Sequence, residues 1–312
     1  MPLPDFQTLM SQADAERAGV KVIAAGGADA TVLEAMSSAA QRGWIQPVLT
    51  GQLNEIESVA HSVGVDLAPF EVVHCAADQM AQQAVREIQA GRAAMLMKGQ
   101  IATPDLMRAV LSSEHGLRTG RTICQVVLME IQRDRRTFLM SDTGICIDPT
   151  VGNKREILEH CIGMAHALGL HRPAAALMAA TEKVTESMPD TVQAQELVEL
   201  ACSGEPDAGV LSGCDLQGPL SFDLAYASDA GSKKKISGNV VGAADIMVFP
   251  DLKSANLTVK GIMYTADCQF GGVLCGATVP VVFMSRADST HTRLNSLALA
   301  LAVRSSWPAL KN

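Results

Sequence analysis

Hydrophobic and polar positions along the first hundred residues alternate between a helical and an extended period. Amphipathic stretches predict helices at residues 5–16, 28–42 and 53–63 and in a segment that ends near residue 90. Short apolar runs predict strands at residues 20–25, 47–51, 70–74 and 93–97. Because strands that alternate with helices of this length form βαβ units, the pattern predicts a parallel sheet.

The pattern changes after residue 122 and then returns. Two apolar runs, 123–131 and 137–140, flank a charged turn and predict a hairpin. A polar break at 141–144 marks the point where we expect the first lobe to cross into a second. Beyond it the alternation predicts helices at 153–168, from about 190, around 222 and across 256–260, and strands at 174–178, 208–211 and 245–250.

The last βα unit carries the strongest candidate chemistry. Its apolar run from Pro280 ends in Ser285, Arg286 and Asp288, so a buried strand would bring a hydroxyl, a guanidinium and a carboxylate to its carboxyl end. Ser289 or Thr290 can cap the helix that follows and direct its N–H groups to the same point, which suits an anion. The competing interpretation is an ordinary helix start with a local ion pair.

A second strand end carries similar groups. Lys98 follows the strand at 93–97, and Gly99 would let the backbone approach a ligand. Thr103 is predicted to cap the next helix, and Arg108 lies on that helix. A solvated lysine and an ordinary cap would explain the same residues.

Size, charge and cysteine usage narrow the class of protein. A chain of 312 residues exceeds the usual single core, so two lobes are expected. The net charge of -8 argues against a nucleic-acid surface. The eight cysteines lack metal-ligand spacing and are expected to be free thiols of a reducing compartment. Neither a bilayer-spanning apolar run nor a signal peptide is evident, so we expect a cytoplasmic protein without a membrane partner.

Six motifs, in order and at compatible spacing from about residue 90 to residue 300, resemble those of the phosphate acetyl/butyryltransferase family. They are Met97-Lys-Gly99 with Thr103 and Leu106–Leu111, Ser141-Asp-Thr-Gly144, Gly218-Pro-Leu-Ser-Phe-Asp223, Ala243–Pro250, Ala255-Asn256 with Lys260, and Ser285-Arg-Ala-Asp-Ser289. The last motif has the form of the butyryltransferase-like branch. Acetyl-preferring members carry an acid seven positions after the serine, where this chain has Thr292; Asp288 is a candidate substitute.

The resemblance implies an α/β fold with two lobes, a parallel or mixed sheet sandwich like that of the isocitrate and isopropylmalate dehydrogenases. We expect residues 1–142 with 272–312 to form the first lobe and residues 143–271 the second, with the substrates in the cleft between them. The implied reaction converts acyl-CoA and orthophosphate to acyl phosphate and CoA by direct transfer in a ternary complex. Coenzyme A and phosphate are then substrates, with no tightly bound cofactor, and a homodimer is expected.

Within that reaction, Arg286 is expected to bind phosphate, because a planar guanidinium can contact two oxygens at once. Ser285 would donate a hydrogen bond to the substrate, and Asp288 or Asp142 would accept the proton of the CoA thiol in the reverse direction. The remaining candidate residues for phosphate and CoA binding are Lys98, Gly99, Thr103 and Arg108 from the first lobe and Asn256 and Lys260 from the second. The sequence contains no cluster of carboxylates that would predict a metal site.

Three other functions remain open at this point. An NAD-dependent decarboxylating dehydrogenase would require grouped aspartates for a divalent metal, which the sequence does not display. A non-catalytic acyl-CoA-binding or regulatory member of the family would be compatible with Thr292 in place of an acid. Transfer from an acyl carrier protein would require a basic docking face, for which Arg133, Arg135 and Arg136 are the candidates.

Overall fold

The computed structural model describes residues 2–203 and 206–307. The chain divides into two compact units. The first unit consists of Phe6–Arg121 and Phe270–Asn312, and the second unit of Met1–Asp5 and Thr122–Gln269. Residue 1 and residues 308–312, which belong to the predicted first lobe, lie outside the described residues.

The first unit begins with four βα units preceded by a helix. Its elements up to Arg121 are α1 (Phe6–Glu16), β1 (Val20–Ala25), α2 (Ala30–Gln41), β2 (Ile45–Gly51), α3 (Leu53–Val63), β3 (Glu71–His74), α4 (Met80–Gln89), β4 (Met95–Lys98) and α5 (Thr103–Val110). Capping explains several boundaries: the Asp29 side chain accepts from the Val32 amide at the start of α2, and Gly64 ends α3 in the left-handed conformation. The sequence-based elements of this region are confirmed to within a few residues.

The second unit contains a hairpin followed by further βα units. Its elements are β5 (Cys124–Ile131), β6 (Arg136–Ser141), α6 (Val151–Ala167), β7 (Ala174–Met178), α7 (Pro189–Cys202), β8 (Asp215–Leu220), α8 (Phe222–Tyr226), α9 (Ala230–Lys234), β9 (Ile246–Val248) and α10 (Leu252–Thr265). The chain continues with β10 (Cys268–Cys275), which enters the first unit at Phe270, and ends with β11 (Val281–Val282) and α11 (Thr290–Val303).

Strand pairing is mixed within each unit, as the sequence suggested. In the first unit the order is β3-β2-β1-β4-β11-β10, parallel except for the antiparallel pair β10/β11. In the second unit the order is β5-β6-β9-β7-β8, and the antiparallel pair is the β5/β6 hairpin. Strand β4 is buried along its whole length, as expected of a parallel strand with covered faces.

Three sequence-based predictions differ from the structure. The strand predicted at 208–211 is wrong, because Pro206–Gly213 forms 3-10 turns that are interrupted at Gly209, and the strand follows as β8. The short apolar run Ala208–Leu211 did not distinguish the two conformations. The charged run Lys233–Lys235, a pattern that by itself predicts a solvated loop, lies largely in α9. The second unit begins at Thr122 rather than at residue 143, because the β5/β6 hairpin pairs with β9 of that unit.

Two further features concern the cysteines and the helices. All eight cysteines are free thiols, and five of them are buried. None of the helices in the described part of the chain is both long enough and apolar enough to cross a bilayer.

Two glycine turns at the carboxyl ends of β1 and β4 dock backbone to backbone. The Gly99 amide donates to the Ala25 carbonyl, and the Gln100 amide donates to the Gly26 carbonyl, both over 2.9 Å. A Cβ atom on Gly99 would lie 2.0 Å from the Gly26 carbonyl oxygen and 2.7 Å from that of Ala25. Neither oxygen can move without breaking these hydrogen bonds. The contact therefore requires glycine at position 99 and fixes the position of Lys98.

We expect the Gly99→Ala substitution to lower the free energy of unfolding by about 3 kcal/mol, the upper range for overpacking a close contact. Urea unfolding followed by circular dichroism measures the change. Gly261→Ala is the control, because Gly261 is helical, and nothing lies within 4 Å of an added Cβ atom. That control should gain about 0.5–1 kcal/mol. Equal stability of Gly99→Ala and wild type would contradict the docking argument.

Candidate active site

The carboxyl end of β4 brings a lysine into the interior of the first unit. The Lys98 side chain is 2% exposed, and its Nζ donates one long hydrogen bond of 3.4 Å to the Gly99 carbonyl. Among the described residues, no carboxylate lies within ion-pair distance of this amine. A buried ammonium with unused donors is costly without an anionic partner. Lys98 is therefore suited to bind an anion.

Burial and neighbouring positive charges both affect the protonation of Lys98. Desolvation, followed by the positive charges of Arg293 and Arg286, lowers the pKa of the Lys98 amine to about 8, and the carboxylates of Asp288 and Asp29 act in the opposite direction. The amine is therefore largely protonated at neutral pH and largely neutral above pH 8. Two arginines thus act on the charge of Lys98 at this strand end.

The residues after β11 form a closed turn. The Ser285 amide donates to Asp288 Oδ2 over 2.7 Å, and the Asp288 amide donates to the Ser285 carbonyl over 3.2 Å. The Ser285 hydroxyl accepts from the Ala287 amide over 3.3 Å. Ser285 and Arg286 remain exposed, so both can reach a ligand. Asp288 consequently has a structural role in this turn, whatever its part in proton transfer.

The helix after this turn begins as the sequence predicted. Ser289 is the N-cap of α11, and its side chain accepts from the Thr292 amide. Thr292, seven positions after Ser285, is buried, and its hydroxyl hydrogen-bonds that of Ser289 over 3.0 Å. Thr290, the other predicted cap, instead donates to Glu34 of α2 over 2.6 Å.

The sequence interpretation missed Arg293, which joins the two strand ends. This arginine is 1% exposed. Its Nη1 donates to the Lys98 carbonyl and its Nη2 to the Ser285 carbonyl, each over 3.3 Å, and its Nε donates to Thr31 Oγ1 over 2.8 Å. Thr31 in turn donates to the Asp29 carboxylate, the N-cap of α2. The available signal was an arginine in the first turn of α11, shortly before the apolar run of that helix.

Two predicted substrate-binding residues on α5 have fewer contacts with the rest of the candidate site. Thr103 is the first residue of the helix rather than its cap; Ala102 occupies the N-cap position without a side-chain hydrogen bond. The capping prediction for Thr103 is therefore wrong. Arg108 is exposed on the same helix and forms an ion pair of 3.0 Å with Asp105. Nothing in the structure links Arg108 to Lys98.

In the second unit, Asp142 organises the turn after β6. Its Oδ1 accepts from the amides of Gln125, Gly144 and Ile145 over 2.9–3.2 Å, and its Oδ2 accepts from the Cys146 amide over 2.6 Å. Burial raises the pKa of the Asp142 carboxyl, and these amide contacts oppose the shift. Both oxygens are thus occupied by backbone donors, which supports a structural role beside the predicted one as a base.

Asn256 and Lys260 lie one turn apart on α10. Asn256 Nδ2 donates to the Thr143 carbonyl over 3.0 Å, so it contacts the turn that Asp142 organises. Lys260 is exposed. The second unit therefore brings Asp142 and Asn256 together through Thr143, and the first unit brings Lys98, Gly99, Ser285, Arg286 and Asp288 together through Arg293 and the glycine turns.

Within the described residues, no cluster of three or more histidine, cysteine or acidic side chains could hold a metal ion. What the first unit presents is a set of positive groups and hydroxyls at the ends of parallel strands, beside the N-terminus of α11. That combination binds anions such as phosphate or carboxylate.

Comparison with known proteins defines the class. The profile of the phosphate acetyl/butaryl transferase family matches residues 6–90 and 78–301. The chain is 36% identical to a phosphate butyryltransferase of Clostridium acetobutylicum, over 91% of this chain and 93% of that protein. It is 34% identical to a phosphate acetyltransferase of Thermotoga maritima, over 90% and 94% respectively. The chain belongs to the phosphate acetyl/butyryl transferase family.

Solved structures agree with this assignment. A branched-chain phosphotransacylase from Enterococcus faecalis V583 superposes with a TM-score of 0.78 at 30% identity, covering 91% of this chain and 99% of that one. The fold is therefore a mixed α/β fold with a large sheet, shared with phosphotransacylases. The resemblance inferred from the six motifs is confirmed at the level of the family.

Substitutions of Asp142 separate its two roles. Asp142→Ala leaves four backbone amides without their acceptor, so we expect about 3 kcal/mol lower stability, the cost of breaking a buried charged contact. Asp142→Asn keeps the shape and one carbonyl acceptor and should lose less. Thermal unfolding measures both variants. If Asp142→Asn instead kept wild-type stability and lost nearly all turnover, Asp142 would act as the base.

Proposed function

We propose that this protein is a phosphate acyltransferase that exchanges coenzyme A and orthophosphate on a short acyl group. The family assignment defines the reaction class, and the names of the relatives include both acetyl and butyryl transfer. We also propose that the chain lies nearer the butyryltransferase-like branch, because its last motif is Ser285-Arg-Ala-Asp-Ser289.

The observation that carries this proposal is the buried Lys98 amine beside Arg286 and Arg293. The reaction brings phosphate to a thioester carbonyl and creates a tetrahedral oxyanion. Positive groups held in a low-dielectric interior stabilise both the nucleophile and the oxyanion more strongly than they would in water. Lys98 provides such a charge, and the exposed Arg286 can contact two phosphate oxygens at once.

The proposed mechanism is direct attack by phosphate on the acyl carbonyl. In the forward direction a phosphate oxygen bonds to the carbonyl carbon, the oxyanion forms, and the C–S bond then breaks to release CoA thiolate, which takes up a proton. Ser285 donates a hydrogen bond to the carbonyl or phosphate oxygen. Among the described residues no histidine hydrogen-bonds the Ser285 hydroxyl, which supports its assignment as a donor rather than a covalent nucleophile. Asp288 and Asp142 remain the candidate bases for the reverse direction.

Further parts of the proposal follow from the resemblance. They are a two-lobed fold like that of the isocitrate and isopropylmalate dehydrogenases, a homodimer, a cytoplasmic location, and contributions to phosphate or CoA binding from Gly99, Thr103, Arg108, Asn256 and Lys260. No tightly bound cofactor is required, since CoA and phosphate enter as substrates.

The decisive measurement is phosphate-dependent release of CoA thiol from acetyl-, propionyl-, butyryl- and longer acyl-CoA. We expect release by the wild type and a loss of about 100-fold or more in Arg286→Ala, because an oxyanion or phosphate donor of this kind contributes 10²–10³-fold. Arg172→Ala is the matched control, as Arg172 is largely exposed and pairs with Asp215.

The same assay distinguishes the competing function. Binding of CoA in calorimetry without release from any acyl-CoA would overturn the enzyme assignment and favour a non-catalytic acyl-CoA-binding protein. A loss of activity in Arg172→Ala equal to that in Arg286→Ala would show that the effect is not specific to the site.

The pH dependence of phosphate binding should follow Lys98. Its pKa is lowered to about 8, so the ammonium that attracts phosphate is present below pH 8 and is lost as the pH rises through that value. We therefore expect the KM for phosphate to rise above pH 8, by about tenfold for each unit in the limiting case. Steady-state kinetics from pH 6.5 to 9.5 measures it. A Lys98→Arg variant should lack this rise, and a flat wild-type profile would contradict the assignment.

A further inference from the structure

We propose that Arg293 is a positioning residue for the acyl transfer: it holds the Lys98 and Ser285 strand ends in register and acts on the substrates through them. This inference rests on the proposed function and goes beyond it, because the family motifs quoted above do not include Arg293. The residue lies in the first turn of α11, eight residues after Ser285, and contacts the backbone of both site residues.

The contacts are divided among three different segments. Nη1 bonds the Lys98 carbonyl at the end of β4, Nη2 bonds the Ser285 carbonyl in the turn after β11, and Nε bonds Thr31 near the start of α2. A planar guanidinium has donors in fixed directions, so these three oxygens can be satisfied together only in one relative placement. Arg293 therefore specifies the spacing between the lysine and the serine.

The hydrogen bond to Thr31 fixes the guanidinium of Arg293 to the start of α2. Thr31 accepts from Arg293 and donates to Asp29 Oδ1 over 2.6 Å, and that same oxygen accepts from the Val32 amide. The carboxylate of Asp29 is thus fixed by the helix that it caps. The chain of hydrogen bonds runs from the N-terminus of α2 through Thr31 and Arg293 to the two strand ends.

Arg293 places a cationic side chain on the buried face of α11. Among the described residues no carboxylate lies within ion-pair distance of its guanidinium, and burial lowers the pKa of this group. An uncompensated buried cation costs stability that an apolar side chain of the same volume would not. Such a cost is expected where geometry or charge serves a site.

Arg293 also influences the charge on Lys98. After desolvation, it is the largest cause that lowers the pKa of that amine, followed by Arg286; Asp288 and Asp29 raise it. Removing the guanidinium charge should therefore shift the titration of Lys98 toward higher pH. A residue with only a packing role would not produce that shift, so the titration separates the two explanations.

The test compares Arg293→Met, Arg293→Lys and Thr31→Val with the wild type. Arg293→Met removes both the charge and the hydrogen bonds. Arg293→Lys keeps the charge but loses the planar guanidinium with its fixed donor directions. Thr31→Val removes only the hydrogen bond between Arg293 and α2. Thr290→Val is the matched control, because it deletes another α11–α2 hydrogen bond, to Glu34, without touching Lys98 or Ser285. Urea unfolding establishes that each variant is folded.

Two readouts are measured. The first is kcat and KM for phosphate, where we expect Arg293→Met to lose about 100-fold in kcat, the cost of misplacing reacting groups by about 1 Å. Arg293→Lys and Thr31→Val should lose about tenfold, a partial loss of the same positioning. The second is the pKa of Lys98, followed by NMR in protein labelled with ¹³C-lysine and assigned with Lys98→Arg. It should rise in Arg293→Met and stay near the wild-type value in Arg293→Lys.

The outcomes are separable. Folded Arg293→Met with wild-type kcat, or with an unchanged Lys98 pKa, would overturn the inference, and so would an equal loss of activity in Thr290→Val. If Arg293→Met does not fold, Arg293→Lys and Thr31→Val decide it: wild-type kcat in both would overturn it. Absence of CoA release by the wild type would overturn the proposed function, and the lysine titration, which needs no turnover, would still decide whether Arg293 controls Lys98.

Discussion

The first unit depends on keeping the positive charge of Lys98 inside the protein at the end of a parallel strand. Water is excluded there, so the ammonium must be stabilised by a bound anion or lose its proton, and its pKa of about 8 reflects that balance. The glycine turns and the Arg293 hydrogen bonds hold the amine in this buried position, where its charge is poorly solvated. Such a site attracts phosphate because the surrounding protein groups do not use all the hydrogen-bond donors of the ammonium or neutralise its charge.

The second unit buries an acidic group instead of a basic one. Asp142 is a buried carboxyl group, 3% exposed, and four backbone amides donate to its two oxygens. These amides occupy both oxygens and shape the turn that Asn256 contacts. Lys98 and Asp142 both lie in family-like motifs, yet their hydrogen bonding differs. Lys98 has unused donors, whereas Asp142 has few free acceptors. Membership in a motif therefore does not assign a role to a residue.

Particular residues show how far sequence reasoning reached. The strand ends carrying Lys98 and Ser285, and the cap at Ser289, followed from apolar runs that stop abruptly at polar residues. The strand predicted at 208–211 and the cap predicted at Thr103 failed because short apolar runs and isolated hydroxyls are compatible with more than one local conformation. The contacts of Arg293 did not follow from the sequence, because Thr31 and Lys98 lie 262 and 195 residues away from it in the chain.

The sequence by itself determined the alternation of strands and helices, the family, and the residue types available for anion binding, because these depend on periodicity and on ordered motifs. The tertiary structure decided which of those residues meet. It gave Lys98 its burial and joined it to Ser285 through one guanidinium. Desolvation and hydrogen-bond geometry depend on neighbours far apart in the chain, and no local pattern encodes them.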